Sequence, residues 1–255
     1  QAVVTNIRMP TALFAALLLG SSARLVGRVE AVATTADVRA SAPPGSDDRP
    51  PRWALPSFAL LAGLALGHHP SLIAFLAPAI LVLAWCGRRQ LRATVRSGAG
   101  SRSRSSGWST RRTTLATLIA LSVSALPLAY LPLRDRAGAV LGPGTLGTAR
   151  GLYEHVTARG FRGDMLAYTG AGELADRALV IGNILWLQLG PGVLVAAALG
   201  LAWLWRRRPA TASLLALCLA SISALALTYR APQTTEYLLP GYVVLAVLAG
   251  LGGHA

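Results

Sequence analysis

The chain has 255 residues, of which 53% are hydrophobic and 13% charged, a balance too apolar for a water-soluble domain of that length. Its formal charge of +14 is carried by arginine alone among the basic residues, a bias that points to a GC-rich bacterial genome. The arginines lie in connections between apolar runs, so they read as orientation charges and exclude a nucleic-acid partner.

Taken in order, seven stretches are apolar enough to be embedded: 10–23, 53–67, 71–86, 114–131, 178–205, 210–229 and 237–253. The chain opens at Gln1 and enters the first almost directly, without the charged leader and cleavage site of a signal peptide, which reads as a fragment of a longer protein. The second and third are short for a full crossing, which needs about 20 residues, and Gly67-His68-His69-Pro70 joins them as a hairpin. Gly190-Pro191 divides the fifth into a lead-in holding Asn183 and Gln188 and a clean span to Trp205, with Pro191 at the start of a helix. Cys86 and Cys218 both fall inside apolar runs, so they read as small core residues and not as a disulfide or a zinc site. The fold class is therefore all-α: one polytopic membrane bundle over 1–255 with six or seven embedded helices.

Arginine placement orients the bundle. Strict alternation puts 16 Arg in the connections expected to be cytoplasmic and eight on the other side. Residues 28–52 and 87–113 are cytoplasmic linkers, Pro-rich in ASAPPGSDDRPPR and low in complexity in SGAGSRSRSSG, with no apolar residues to pack a core. The long connection 132–177 falls outside and contains an amphipathic helix over 145–159, in which Leu146, Leu152, Tyr153 and Val156 share a face.

That topology collects His68, His69, Arg134, Asp135, His155, Arg159, Arg162, Asp164, Arg230, Glu236 and Tyr237 at the outer ends of the helices. Guanidinium groups match phosphate oxygens, while imidazoles and carboxylates can carry protons, so the set suits an anionic ligand. Adjacent histidines point in different directions, which argues against a metal site on His68 and His69. No nucleotide-cradling loop, GxSxG serine or HExxH helix is present, and no cofactor is implied.

Five segments, in order, carry a resemblance: QAVVTNIRMPTALFAALLL, GLALGHHPSLIAFLAPAILVLAW, AYLPLRDR, GLYEHVTARGFRGDM and TTEYLLPGYVVLAVLAGLG. Together they resemble the bacterial family filed as domain of unknown function 2723, whose animal relative is the protein O-mannosyltransferase called transmembrane protein 260. The resemblance implies a multi-pass glycosyltransferase of the bacterial cytoplasmic membrane. It would move a sugar, mannose by analogy with the animal relative, from a polyprenyl-phosphate donor to an extracytoplasmic protein or glycan acceptor, with inversion. The same resemblance matches the paired histidines to His68 and His69 and the span-end arginine to Arg134. It matches the aromatic-Arg-Gly motif to Phe161, Arg162 and Gly163, and the acidic-aromatic motif to Glu236 and Tyr237. Arg134 and Arg162 are then phosphate or sugar contacts, and the histidines line the donor pocket.

The sequence departs from the family pattern in three places. Val-Thr-Asn6-Ile7-Arg8 replaces a Val-Thr-Glu-Val-Tyr type of motif, Val140 to Gly144 replaces an Asn-Trp-Gly-Asp-Pro type, and the family's catalytic carboxylate would lie upstream of Gln1. The rival is a transporter or lipid flippase, which would carry ionisable residues inside its spans, where these seven stretches have none.

Overall fold

Leucine and alanine dominate the apolar stretches, and a chain that leaves water must satisfy its backbone internally, which a helix does within one segment. The computed structural model describes residues 2–35, 53–68, 70–96, 106–138, 145–157, 159, 163–230 and 234–254. Its regular elements among these are all helical: α1 (Ala2–Thr35), α2 (Ala54–His68), a single 3₁₀ turn (Pro70–Leu72), α3 (Ile73–Arg96), α4 (Ser106–Ser124), α5 (Leu126–Arg136), α6 (Ala149–Val156), α7 (Ala171–Arg207), α8 (Pro209–Thr228) and α9 (Thr234–Gly252).

Among the described residues, five segments are long and apolar enough to cross a membrane: Pro10–Gly27, Arg111–Arg136, Ala171–Arg207, Pro209–Thr228 and Thr234–Gly252. By that measure the chain is a multi-pass membrane protein. The expected six or seven embedded helices included α2, which is apolar but shorter, and the region of α3, whose apolar run ends at Cys86 ahead of Arg88, Arg89 and Arg92.

The core lies where α1, α3, α8 and α9 meet. Phe75, Leu72, Leu76, Leu18, Leu214, Ile222, Val244 and Leu248 are almost completely buried there. Both cysteines are buried and free, and the Cys218 thiol points at the carbonyl of Phe75, 3.6 Å away. Where α7 and α9 cross, the packing is backbone on backbone. A methyl group on Gly200 would strike the Leu248 carbonyl, and one on Gly252 would strike the Ala196 carbonyl. Small residues at such a crossing let two helices approach closely enough for dispersion forces to hold them in an apolar solvent.

Helix also extends into segments expected to be linkers. α1 continues to Thr35, α3 runs past Gly87 to Arg96, and α4 begins at Ser106. Propagation explains this: once a helix is nucleated, each further Ala or Arg adds a hydrogen bond at little entropic cost. The remainders of those linkers, 36–52 and 97–105, lie outside the described residues. The expected stretch 114–131 lies within the single crossing segment Arg111–Arg136; its hydrogen-bond ladder is interrupted at Ala125, which keeps a right-handed helical conformation, because Pro127 lacks the amide that would bond back into the preceding turn. α7 bends at Gly190, whose φ of 75° and ψ of 159° are closed to residues with a side chain, and Pro191 opens its second half as the sequence indicated.

Candidate functional site

Two side-chain contacts fix which helix ends lie together. His68 Nε2 is 3.1 Å from Thr11 Oγ1, which joins the end of α2 to the early turns of α1. At the opposite end of α1, the Arg208 guanidinium lies 3.7 Å from where a side chain on Gly27 would begin. The bundle thus has a histidine end and an arginine end; α1 runs from the first to the second, and α2 and α8 run back.

At the histidine end the imidazole of His68 is held on two sides, by Thr11 and by the ring of Phe14 with centroids 5.4 Å apart. Its remaining face looks into a cavity of about 700 Å³. α2, the 3₁₀ turn and the start of α3 supply His68, Ser71 and Ile73; α5 supplies Leu128 and Leu131; α6 and the residues after it supply His155, Thr157 and Met165. The walls are mostly apolar, with two imidazoles and a few hydroxyl groups set into them. Such a surface can accept a largely apolar ligand with a small polar head and can exchange protons with that head.

Helix α6 reaches this position through its own caps. Thr148 accepts the Gly151 amide at 3.0 Å, which starts the helix at Ala149, and the Thr157 hydroxyl donates to the Tyr153 carbonyl, closing it. The element is therefore shorter than the expected 145–159. It is tied back to α5 by the Gly147 amide, which donates to Asp135 at 2.6 Å, and by Arg136, which donates to the Gly147 carbonyl. On its outer face Arg150 and Arg159 both bind Glu154, each at 3.0 Å. The Arg150 hydrogen bond is the foremost cause holding the Glu154 carboxyl below its ordinary range.

The chain after α6 is anchored by α8. Asp164 pairs with Arg230 at 2.7 Å, and its carbonyl accepts the Arg230 amide. The Tyr168 amide donates to the Thr228 carbonyl. From α7, Arg177 donates to the Ala226 carbonyl at 2.9 Å and to Thr234 at 3.1 Å, and its guanidinium lies over the Tyr168 ring. Arg177 therefore organises the ends of three helices. Sequence reasoning passed over it as one charge in a mixed loop, and the signal that could have found it is its place immediately before the apolar run of α7.

Among the residues singled out from sequence, the structure brings His68 and His155 into one cavity. Arg134 is exposed near the end of α5, one turn beyond Leu131, outside the described lining. Glu236 and Tyr237 sit in the first turn of α9, and Tyr237 meets the edge of Tyr229 at 4.9 Å, so both lie at the same end but outside the lining of the cavity. His69, Phe161 and Arg162 lie outside the described residues. Charge pairing sorts the arginines of this end. Arg150, Arg159 and Arg230 are paired with carboxylates and Arg136 and Arg177 donate to carbonyls, whereas Arg134 has no carboxylate partner among the described residues. No group of three His, Cys, Asp or Glu side chains able to hold a metal occurs among those residues. No protein-family model, curated protein or solved structure matches this chain.

Proposed function

We propose that this chain is the membrane-embedded part of a glycosyltransferase that takes a sugar from a polyprenyl-phosphate donor and passes it to an acceptor outside the bacterial cytoplasmic membrane. The arginine end faces the cytoplasm on this reading, and the histidine end faces outward. The observation that carries it is the 700 Å³ cavity holding His68 and His155 between apolar walls, at the end where Arg134 has no carboxylate partner among the described residues.

The chemistry requires a positive environment for a departing lipid phosphate, and that stabilisation is greatest where water is excluded. Arg134 and Arg162 would supply it, His68 would hold the donor in the cavity, and Glu236 and Tyr237 would act at its margin. The acceptor gives its proton to a carboxylate base, its oxygen attacks the anomeric carbon, and the sugar–phosphate bond breaks with the electron pair leaving on phosphate. Each proton and electron pair is then accounted for without a cofactor.

The test is transfer from a labelled polyprenyl-phosphate sugar by the full-length protein in membranes. Transfer should be seen, and His68→Ala and Arg162→Ala should each lower turnover at least about tenfold, the scale for losing one positioned transition-state contact. Absence of transfer to protein and glycan acceptors alike, with lipid translocation in its place, would establish the transporter or flippase reading instead.

A further inference from the structure

Two further cavities lie toward the arginine end. One, of about 390 Å³, runs between α1 and the helices α7, α8 and α9, and is lined by Leu215, Val247 and Trp203 before it ends at Arg208. The other, of about 400 Å³, runs between α1 and α2 and has Arg24 and Trp53 in its lining. The two share Ala16 and Gly20, so only a low ridge of small side chains on α1 separates them. Both Ala16 and Gly20 are exposed, and a side chain begun at Gly20 would meet no atom within 4 Å.

From this arrangement we infer that the arginine end binds one anionic diacyl phospholipid astride α1, with an acyl chain in each groove and its phosphate between Arg24 and Arg208. Charge complementarity selects the headgroup. Arg206, Arg207 and Arg208 follow one another without an acid, Arg207 is turned over the Trp203 ring at 5.5 Å, and neither Arg24 nor Arg208 has a carboxylate partner among the described residues. A zwitterionic headgroup would bring an ammonium group into that positive field, whereas a net negative one adds attraction without it. The backbone also fixes Arg208: it stands between two helices, its amide bonded to the Leu204 carbonyl and its carbonyl to the Ala212 amide. The guanidinium is thus presented at the groove mouth by a rigid corner. The inference rests on the membrane reading alone and is independent of any transferase activity at the opposite end.

Native mass spectrometry of the whole chain, titrated with phosphatidylglycerol or phosphatidylethanolamine of identical acyl chains, tests it. Wild type should retain phosphatidylglycerol in preference, and Arg24→Gln and Arg208→Gln should each weaken that preference about fivefold, the scale for one arginine at a charged membrane surface. Gly20→Phe, which raises the ridge without touching the core, should weaken retention of both lipids, whereas Arg88→Gln, outside both grooves, should leave retention unchanged. Equal retention of the two lipids by wild type would overturn the inference. So would full retention by Arg208→Gln or Gly20→Phe, or an equal loss in Arg88→Gln, which would mean diffuse charge attraction.

Discussion

Gly200 and Gly252 decide how closely α7 and α9 approach, because each faces a carbonyl oxygen of the other helix with no room for a side chain. Gly200→Ile should therefore lower stability by about 2–4 kcal/mol, as overpacking at a fixed backbone contact does. Gly182→Ala, where a methyl group meets nothing within 4 Å, should stay within about 0.5 kcal/mol of wild type. Thermal unfolding in one detergent compares them, and equal melting of the two variants would contradict the close crossing. Neither glycine stands out in the sequence among 26, since nothing local distinguishes a glycine pressed on a neighbour from one facing solvent. His68 was easier to single out because it ends an apolar run. His155 was collected with the polar residues of its end but matched no motif, and only the packing of α6 beside α5 brings it to His68.

At the scale of elements, α7 shows what the sequence can specify directly. Glycine followed by proline is an explicit break, and Gly190 takes a backbone conformation that other residues adopt only under strain. Gly190→Ala should cost about 1–3 kcal/mol, while Pro191→Ala, which restores an amide without asking for a forbidden dihedral, should cost less than about 1 kcal/mol. Chemical denaturation of both variants reads the difference, and a Gly190→Ala protein as stable as wild type would show that the bend is not held. The break at Ala125 was harder to foresee. A proline near the middle of an apolar run can be absorbed, as Pro78 and Pro240 are within α3 and α9, and which outcome occurs depends on neighbours that a pattern of hydropathy does not contain. α6 was legible as amphipathic, but its bounds were set by the Thr148 and Thr157 hydroxyl groups and not by the periodicity.

For the whole molecule, the separation into a histidine end and an arginine end gives a direct prediction. With Cys86 and Cys218 buried, a cysteine at Arg134 and one at Arg88 should react with a membrane-impermeant maleimide from opposite sides of sealed vesicles. Labelling of both from the same side would sink the orientation. The helices differ in how firmly they are held: α1 touches α2, α3, α8 and α9, whereas α4 leans on α2, with Leu115, Leu118 and Ile119 each more than half exposed. The wall formed by α4 and α5 is thus fastened along α2, close to where Ser124 presses on Gly63, and at its far end by the bonds of Asp135 and Arg136 to Gly147. A partition pinned along one edge and at one corner yields to sideways squeezing before one clamped all round does, so the thickness and lateral tension of the surrounding lipid should tune how wide the chamber beside His68 stands.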